Sequence, residues 1–284
     1  MAKDCFRVMT IVCLCLSLNA CTTRLAYNFL DWWLEWQVRD YVSLNKTQNQ
    51  ALRRSLDELH QWHREQELTL YLAFGLELTH RLDEDPLTLD DMEEMNRDLS
   101  QFWGTILQKL LPEMVQLASS LSDSQVTELL TNVRTKNLKF FDKYVDHPEA
   151  KILKNRHRLV TKNLKPYFGK LNSAQEARLQ QWQKDYLNSL PLAYAERLRW
   201  YTKLEDTLTT RRDLKLSHQK MSELLNYPLE FWDSKYRSVA QKNRHVTLQM
   251  IADINNLANA KQIKRRTRHI ENILQDFALI MAQN

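Results

Sequence analysis

His60, His63 and Glu67 fall at i, i+3 and i+7. On a helix that spacing sets two imidazoles and a carboxylate on one face, and such a trio could hold zinc or another divalent ion. No further ligand set accompanies it, and the order is not the His-Glu-x-x-His of zinc peptidases. Polar side chains on a solvated helix face account for the trio, so no metal and no other cofactor is expected. Asp31, Glu35, Arg39 and Asp40 lie in an otherwise apolar stretch, where carboxylates could do acid–base work. An i,i+4 pair between Glu35 and Arg39 satisfies them more simply. Trp62, His63, Arg64 and Glu67 join Asp31, Glu35 and Arg39 as candidate binding residues. No catalytic residue is nominated. The chain has 3 Gly in 284 residues, and it shows no Gly-rich phosphate loop, no Gly-x-Ser-x-Gly elbow and no paired metal motif. A non-enzymatic protein is expected.

The elements that would position these residues read as helices throughout. Leu, Gln, Lys, Arg, Glu and Ala are good helix formers, and the scarcity of Gly leaves little material for hairpins. The fold class expected is all-α, a multi-helix bundle or an array of long helices with no β-sheet. A first helix is expected over about 24–42. Asn28, Asp31, Glu35 and Arg39 form its polar stripe, and nearly every other position is apolar. A helix that apolar is either buried or seated at a membrane interface. Burial in a core is the favoured reading, because Asp31 and Glu35 do not suit an anionic lipid surface. A second, long helix is expected over about 46–82, broken by Asp85 and Pro86. Later helices start near Thr88–Asp90, Asp123, Pro148, Ser173, Pro191, Pro228 and Asn259, and Pro112 and Pro166 mark a start or a kink.

Three segments share one spacing: LNKTQNQAL (Leu44–Leu52), LSDSQVTEL (Leu121–Leu129) and LNSAQEARL (Leu171–Leu179). Asn45, Ser122 and Asn172 read as N-caps, with Gln48, Gln125 and Gln175 at N3 of a capping box. LTLDDMEEM (Leu87–Met95) is a looser version. These boxes resemble the LTxxQ motif of Spy-type periplasmic chaperones, where it starts the helices of a cradle for unfolded proteins.

The N-terminus reads as an address. Lys3 and Arg7 precede an uncharged apolar run, Val8–Leu18. That run is too short to span a bilayer and fits the apolar region of a signal peptide. Leu18, Asn19, Ala20 and Cys21 then resemble the lipobox of bacterial lipoproteins, with Asn19 departing from the usual Ala or Ser. The resemblance implies removal of residues 1–20 and acylation of Cys21, which anchors the chain to a membrane; two or more acyl chains hold stably where one does not. Thr22 after the Cys implies the periplasmic face of the outer membrane. The other cysteines, Cys5, Cys13 and Cys15, precede the cut, so the mature chain forms no internal disulfide and no thiolate zinc site. One all-helical periplasmic domain, 21–284, is expected.

Net charge is +5, a mild excess that does not point to nucleic acid. The charge is nonetheless segregated: residues 57–98 hold thirteen Asp and Glu against three Arg, and residues 134–170 hold eleven Lys and Arg against three acids. A smaller basic cluster, KQIKRRTRH, spans Lys261–His269. Basic helical faces bind anionic lipid, acidic polymer or protein; the simpler reading packs the acidic and basic helices side by side. Finally, Cys21–Tyr71 resembles a family of proteobacterial lipoproteins of unknown function. The resemblance is carried by Cys21, Tyr27-Asn28, Asp31-Trp32, Trp36, Asp40-Tyr41, Leu44, Gln48 and the Trp62-His63-Arg64-x-x-Glu67-Leu68 motif. It implies lipidation and an all-α fold and transfers no activity. The function expected is that of a lipid-anchored helical cell-envelope protein with a structural or partner-binding role. Its partners would be the membrane through acylated Cys21 and an envelope protein or anionic envelope polymer. A Spy-like chaperone or stress sensor is the alternative, and an enzyme acting on envelope polymers the remote one.

Overall fold

The computed structural model describes residues 20–84, 86–227 and 229–283, leaving aside the side chains of Ala20, Cys21, Thr22, Glu84 and Leu229. The expected signal peptide, with Leu18 and Asn19, lies outside the described residues, as do Asp85 and Pro228. The fold is all-α, with no strand among the described residues. In order, the helices are α1 (Ala20–Asn28), α2 (Leu30–Arg39), α3 (Lys46–Trp62), α4 (Leu68–Glu84), α5 (Leu89–Ser120), α6 (Asp123–Phe140), α7 (Glu149–Phe168), α8 (Ser173–Asp185), α9 (Leu190–Thr209), α10 (Leu214–Asn226), α11 (Ser234–Asn256) and α12 (Ala260–Met281). Single π turns follow α3 (His63–Glu67) and α6 (Phe141–Val145), and a 3₁₀ turn spans Leu229–Phe231.

Several expected boundaries shift for identifiable reasons. The expected first helix is two, interrupted at Phe29. The expected long second helix is one rod carrying the π turn His63–Glu67 in its middle. Pro112 and Pro166 start nothing; each lies inside its helix. Helix α10 escaped the sequence reading, although Asp213 caps it by accepting from the Leu216 N–H. Helix α11 starts at Ser234, where Asp233 accepts from the N–H groups of Lys235 and Tyr236. That side-chain cap offers a helix start that a proline alone does not.

The capping boxes form at Asn45, Ser122 and Asn172, and at Thr88 with Asp91 at N3. A further box, Asn259 with Gln262, starts α12 without either flanking Leu. The glutamines then meet in pairs. Gln48 Nε2 donates to Gln125 Oε1 at 3.1 Å, and Gln125 Nε2 donates back to Gln48 Oε1 at 2.7 Å. Gln262 Nε2 donates to Gln175 Oε1 at 2.8 Å. The remaining donations cap the ends of other helices and connections: Gln48 to Ser120 O, Gln125 to Ser43 O, Gln175 to Ile254 O, and Gln262 to Phe168 O and Lys170 O. Two helix N-termini therefore abut twice, once at α3 and α6, once at α8 and α12. Abutting positive dipole ends favours negative charge in principle. Each amide must also donate, however, and a carboxylate cannot. Gln rather than Glu at N3 follows from that double duty.

Three apolar clusters lie between these joints. Leu111, Val115, Val133, Leu204, Leu208, Met221 and Leu224 pack α5, α6, α9 and α10 together. Leu164, Phe168, Leu179, Trp182, Met250 and Ile254 join α7 and α8 to α11. Leu87, Met95 and Ala252 join α5 to α11. On α11, Asn243 and Asn256 each bracket a connecting leucine, exchanging both backbone hydrogen bonds with Leu187 and Leu87 at 2.8–2.9 Å. This satisfies connection backbone that would otherwise be buried without partners.

Candidate functional site

The residues singled out by type converge on the joint between α1–α2 and the helical body. Helix α1 lies on α12 and on the π turn. The Tyr27 hydroxyl is 3.1 Å from His63 Nδ1 and donates weakly to His60 O at 3.4 Å. Its ring lies over both imidazoles, with centroids at 4.4 and 5.7 Å. His63 meets Tyr71 edge-on at 5.3 Å. Arg24 faces Asp276 of α12 at 3.5 Å, and Arg64 donates to Gln283 O at 3.3 Å. The π turn adds a residue to the rod, so the face that holds His60 and His63 turns inward again at Glu67. A solvated face for the trio is therefore wrong: Glu67 is buried, as are Thr23 and Asp276. Among the described residues no three His, Cys, Asp or Glu side chains lie close enough to share a metal ion.

Burial sets the electrostatics of this joint. It pushes the Tyr27 hydroxyl up to about 12, against the pull of Arg64. It drives the His63 imidazole down to about 4, with His60 adding to the effect, and it lowers His60, helped by Arg64. Glu67 is raised by burial against a hydrogen bond from Tyr71. Asp276 is raised by burial against the Thr23 hydroxyl and the Arg24 charge. The Tyr27 ring of α1 covers the two imidazoles. Trp62 carries Lys109 over its ring at 5.7 Å.

Glu35 is the inward residue of α2, 8 % exposed. It accepts from Arg39 one turn on and from Arg53 of α3 at 3.0 Å. The Arg53 hydrogen bond, ahead of the opposing burial, holds its carboxyl below the usual range. Glu35 is thus an ionised tether of α2 to α3. Asp40 pairs with Lys136, whose ammonium lies 3.9 Å from the Tyr41 ring centroid. Because both arginines are largely exposed, Glu35→Gln should cost about 1–2 kcal/mol, read as a lower urea midpoint with an unchanged slope.

With Glu35 turned inward, the apolar side of α1–α2 turns out. The expectation of a core helix is overturned: Leu25, Phe29, Trp32 and Trp36 are 57, 56, 63 and 51 % exposed. Their spacing, i, i+4, i+7 and i+11, makes one stripe. Sequence periodicity identified which residues share a face but not which face the body covers. A second surface lies within the basic run 134–170, where the structure narrows it to the outward cations of α7. In the cleft between α7 and α8, Arg156 stacks on Tyr186 at 4.3 Å and donates to its carbonyl at 3.3 Å, so the guanidinium belongs to the wall.

A family of unknown function, DUF6279, matches residues 40–237. The chain belongs to this family. The DUF6279 span opens at the end of α2 and closes inside α11, so the aromatic stripe and α12 flank it. No curated protein and no solved structure matches the chain. No helix among the described residues is long and apolar enough to cross a membrane.

Proposed function

We propose that this DUF6279 chain is a non-enzymatic, lipid-anchored binding protein of the bacterial cell envelope. It is held through acylated Cys21, at the periplasmic face of the outer membrane, and it presents its helical body to an envelope partner. The observation that carries the reading is the outward aromatic stripe of α1–α2, which begins four residues after Cys21. Tryptophan favours the membrane–water interface, where its ring is apolar and its N–H finds water or head groups. The earlier objection from Asp31 and Glu35 loses force because Glu35 points into the protein. The capping boxes offer no separate support for a chaperone cradle, since their glutamines are consumed in joining helices.

Two measurements test this. Metabolic labelling with a clickable fatty acid should mark the wild type and not Cys21→Ala; equal labelling of both removes the anchor. The full chain carrying Cys21→Ser should show tryptophan fluorescence quenched by bromine-labelled lipid, with most of the quenching lost in Trp32→Ala/Trp36→Ala. Quenching undiminished in that double variant removes the interfacial stripe.

A further inference from the structure

The two basic segments differ: Arg266 of α12 is buried and reaches Asp83 of the acidic segment at 3.4 Å, whereas the cations of α7 make no such pairing among the described residues. Helix α7 lies on α12 and α8, and among the described residues no ion pair joins 57–98 to 134–170. The outward cations of α7 are Lys151, Lys154, Arg158, Lys162 and Lys165, all exposed. Their spacing of i, i+3, i+7, i+11 and i+14 is a single helix stripe, about 21 Å long at 1.5 Å per residue. On α12, Lys261, Lys264, Arg265 and Arg268 are exposed at i, i+3, i+4 and i+7. The two stripes meet where Arg265 Nε donates to Pro166 O at 2.9 Å, beside Lys165. Basic surface is therefore laid against basic surface, and the charge is concentrated rather than neutralised.

The placement of this surface is what identifies its partner. Arg265 and His269 of α12 touch α7, through Pro166 and Tyr167. Asp276 of α12 touches α1, through Arg24. Residues 265, 269 and 276 are i, i+4 and i+11, one face of α12. Helices α7 and α1 thus lie along the same side of α12, one after the other. Both turn their buried residues toward the body (Ile152, Leu164 and Phe168 on α7, Thr23 on α1). The cationic stripe of α7 and the start of the apolar stripe on α1, at Leu25, consequently look outward on the same side of α12.

We propose that the α7–α12 cations bind the phosphate groups of an anionic phospholipid surface, laying the body flat on the membrane that the aromatic stripe enters. This rests on the membrane-surface reading above. Aromatic rings suit the interface, and exposed lysines on long stems, with no ion pair among the described residues, suit the phosphates at its outer edge. Exposed cations spaced along a rod match a plane of repeated charges better than one small ligand, which would need converging donors.

The test is binding of the full chain carrying Cys21→Ser to vesicles of phosphatidylcholine alone and with phosphatidylglycerol, at low and high salt. The wild-type stripe should bind the anionic vesicles at least tenfold more tightly than the neutral ones at low salt, with the gain shrinking as salt rises. Lys151→Gln, Lys154→Gln, Arg158→Gln, Lys162→Gln and Lys165→Gln together should erase that gain and leave neutral-vesicle binding intact. Trp32→Ala/Trp36→Ala should do the reverse. A gain that survives the five substitutions overturns the proposal while leaving the aromatic reading standing. Loss of neutral binding in the wild type strikes the aromatic reading instead. If soluble polyphosphate binds the stripe but anionic vesicles do not, the partner is a polymer and the lipid proposal is overturned. All five side chains are exposed, so the fold should survive, checked by circular dichroism. Should it not, Lys261→Gln/Lys264→Gln/Arg268→Gln gives the same readout from α12.

Discussion

Gln175→Glu should destabilise the chain by about 3 kcal/mol or more at neutral pH, although it changes one atom and keeps a good N3 residue. Gln175 is wholly buried. Its oxygen accepts from the Asn172 N–H at 3.0 Å and from Gln262 Nε2 at 2.8 Å. A carboxylate can keep both bonds. Its nitrogen donates to Ile254 O at 2.9 Å, and there a carboxylate oxygen would face a carbonyl oxygen with no proton between them. The variant would bury a charge wholly out of reach of solvent and orphan the end of α11. The proton dependence separates charge from shape. A buried Glu would have a folded-state pKa raised above its unfolded value. Its folded form then holds more protons, so stability falls as pH rises through that window. The deficit should shrink at acid pH, where the protonated acid donates to Ile254 O as the amide does. Urea midpoints at two pH values decide the matter: a deficit equal at both would mean that shape, not charge, is the cause. Glu at Gln125 should cost less, because that residue is only half-buried.

The same glutamines show what was legible in the sequence. A capping box is local, four residues in one turn, so Asn45, Ser122 and Asn172 could be read directly. That Gln48 seeks Gln125 across 77 residues, and Gln175 seeks Gln262 across 87, is a tertiary fact with no local signature. The Asn259 box lacks the flanking leucines of the shared spacing, which the capping chemistry does not need, so that spacing does not find it. Helix α2 teaches a related limit. Its period groups Asp31, Glu35 and Arg39, while Asn28 falls in α1 and is exposed, and the period alone gives burial to the greasy side. Arg53, eighteen residues on, reverses the assignment by drawing Glu35 inward. The π turn at His63–Glu67 is likewise silent in HREQE. It turns a trio that looks solvated into a buried joint.

Acid should loosen that joint, and His63 supplies the sign. Its folded-state pKa, about 4, lies below the ordinary value near 6.5. The unfolded chain therefore takes up the proton first, and stability is lost as pH falls from about 6.5 toward 4. Between pH 7 and pH 5 the His63 contribution amounts to about 2 kcal/mol. The groups that face it are Tyr27 from α1, His60 from α3 and Tyr71 from α4, and none offers a carboxylate to stabilise an imidazolium. Glu67 and Asp276 work the other way. Burial raises both, so each favours the folded state as pH falls toward the ordinary carboxylate range. His63→Phe keeps the edge contact with Tyr71 and removes the titration. The variant should thus lose most of the wild type's drop between pH 7 and pH 5, with His60 keeping the rest, when the two are compared by urea denaturation at each pH. An equal drop in both proteins would show that His63 is not the sensor. Hydrogen exchange then locates the effect. Tyr27 sits six residues after Cys21, so at pH 5 the amides of α1 should lose protection in the wild type before those of α8 or α11. In His63→Phe that order should disappear, because the helix that carries Cys21 would no longer be held by a proton-sensitive contact.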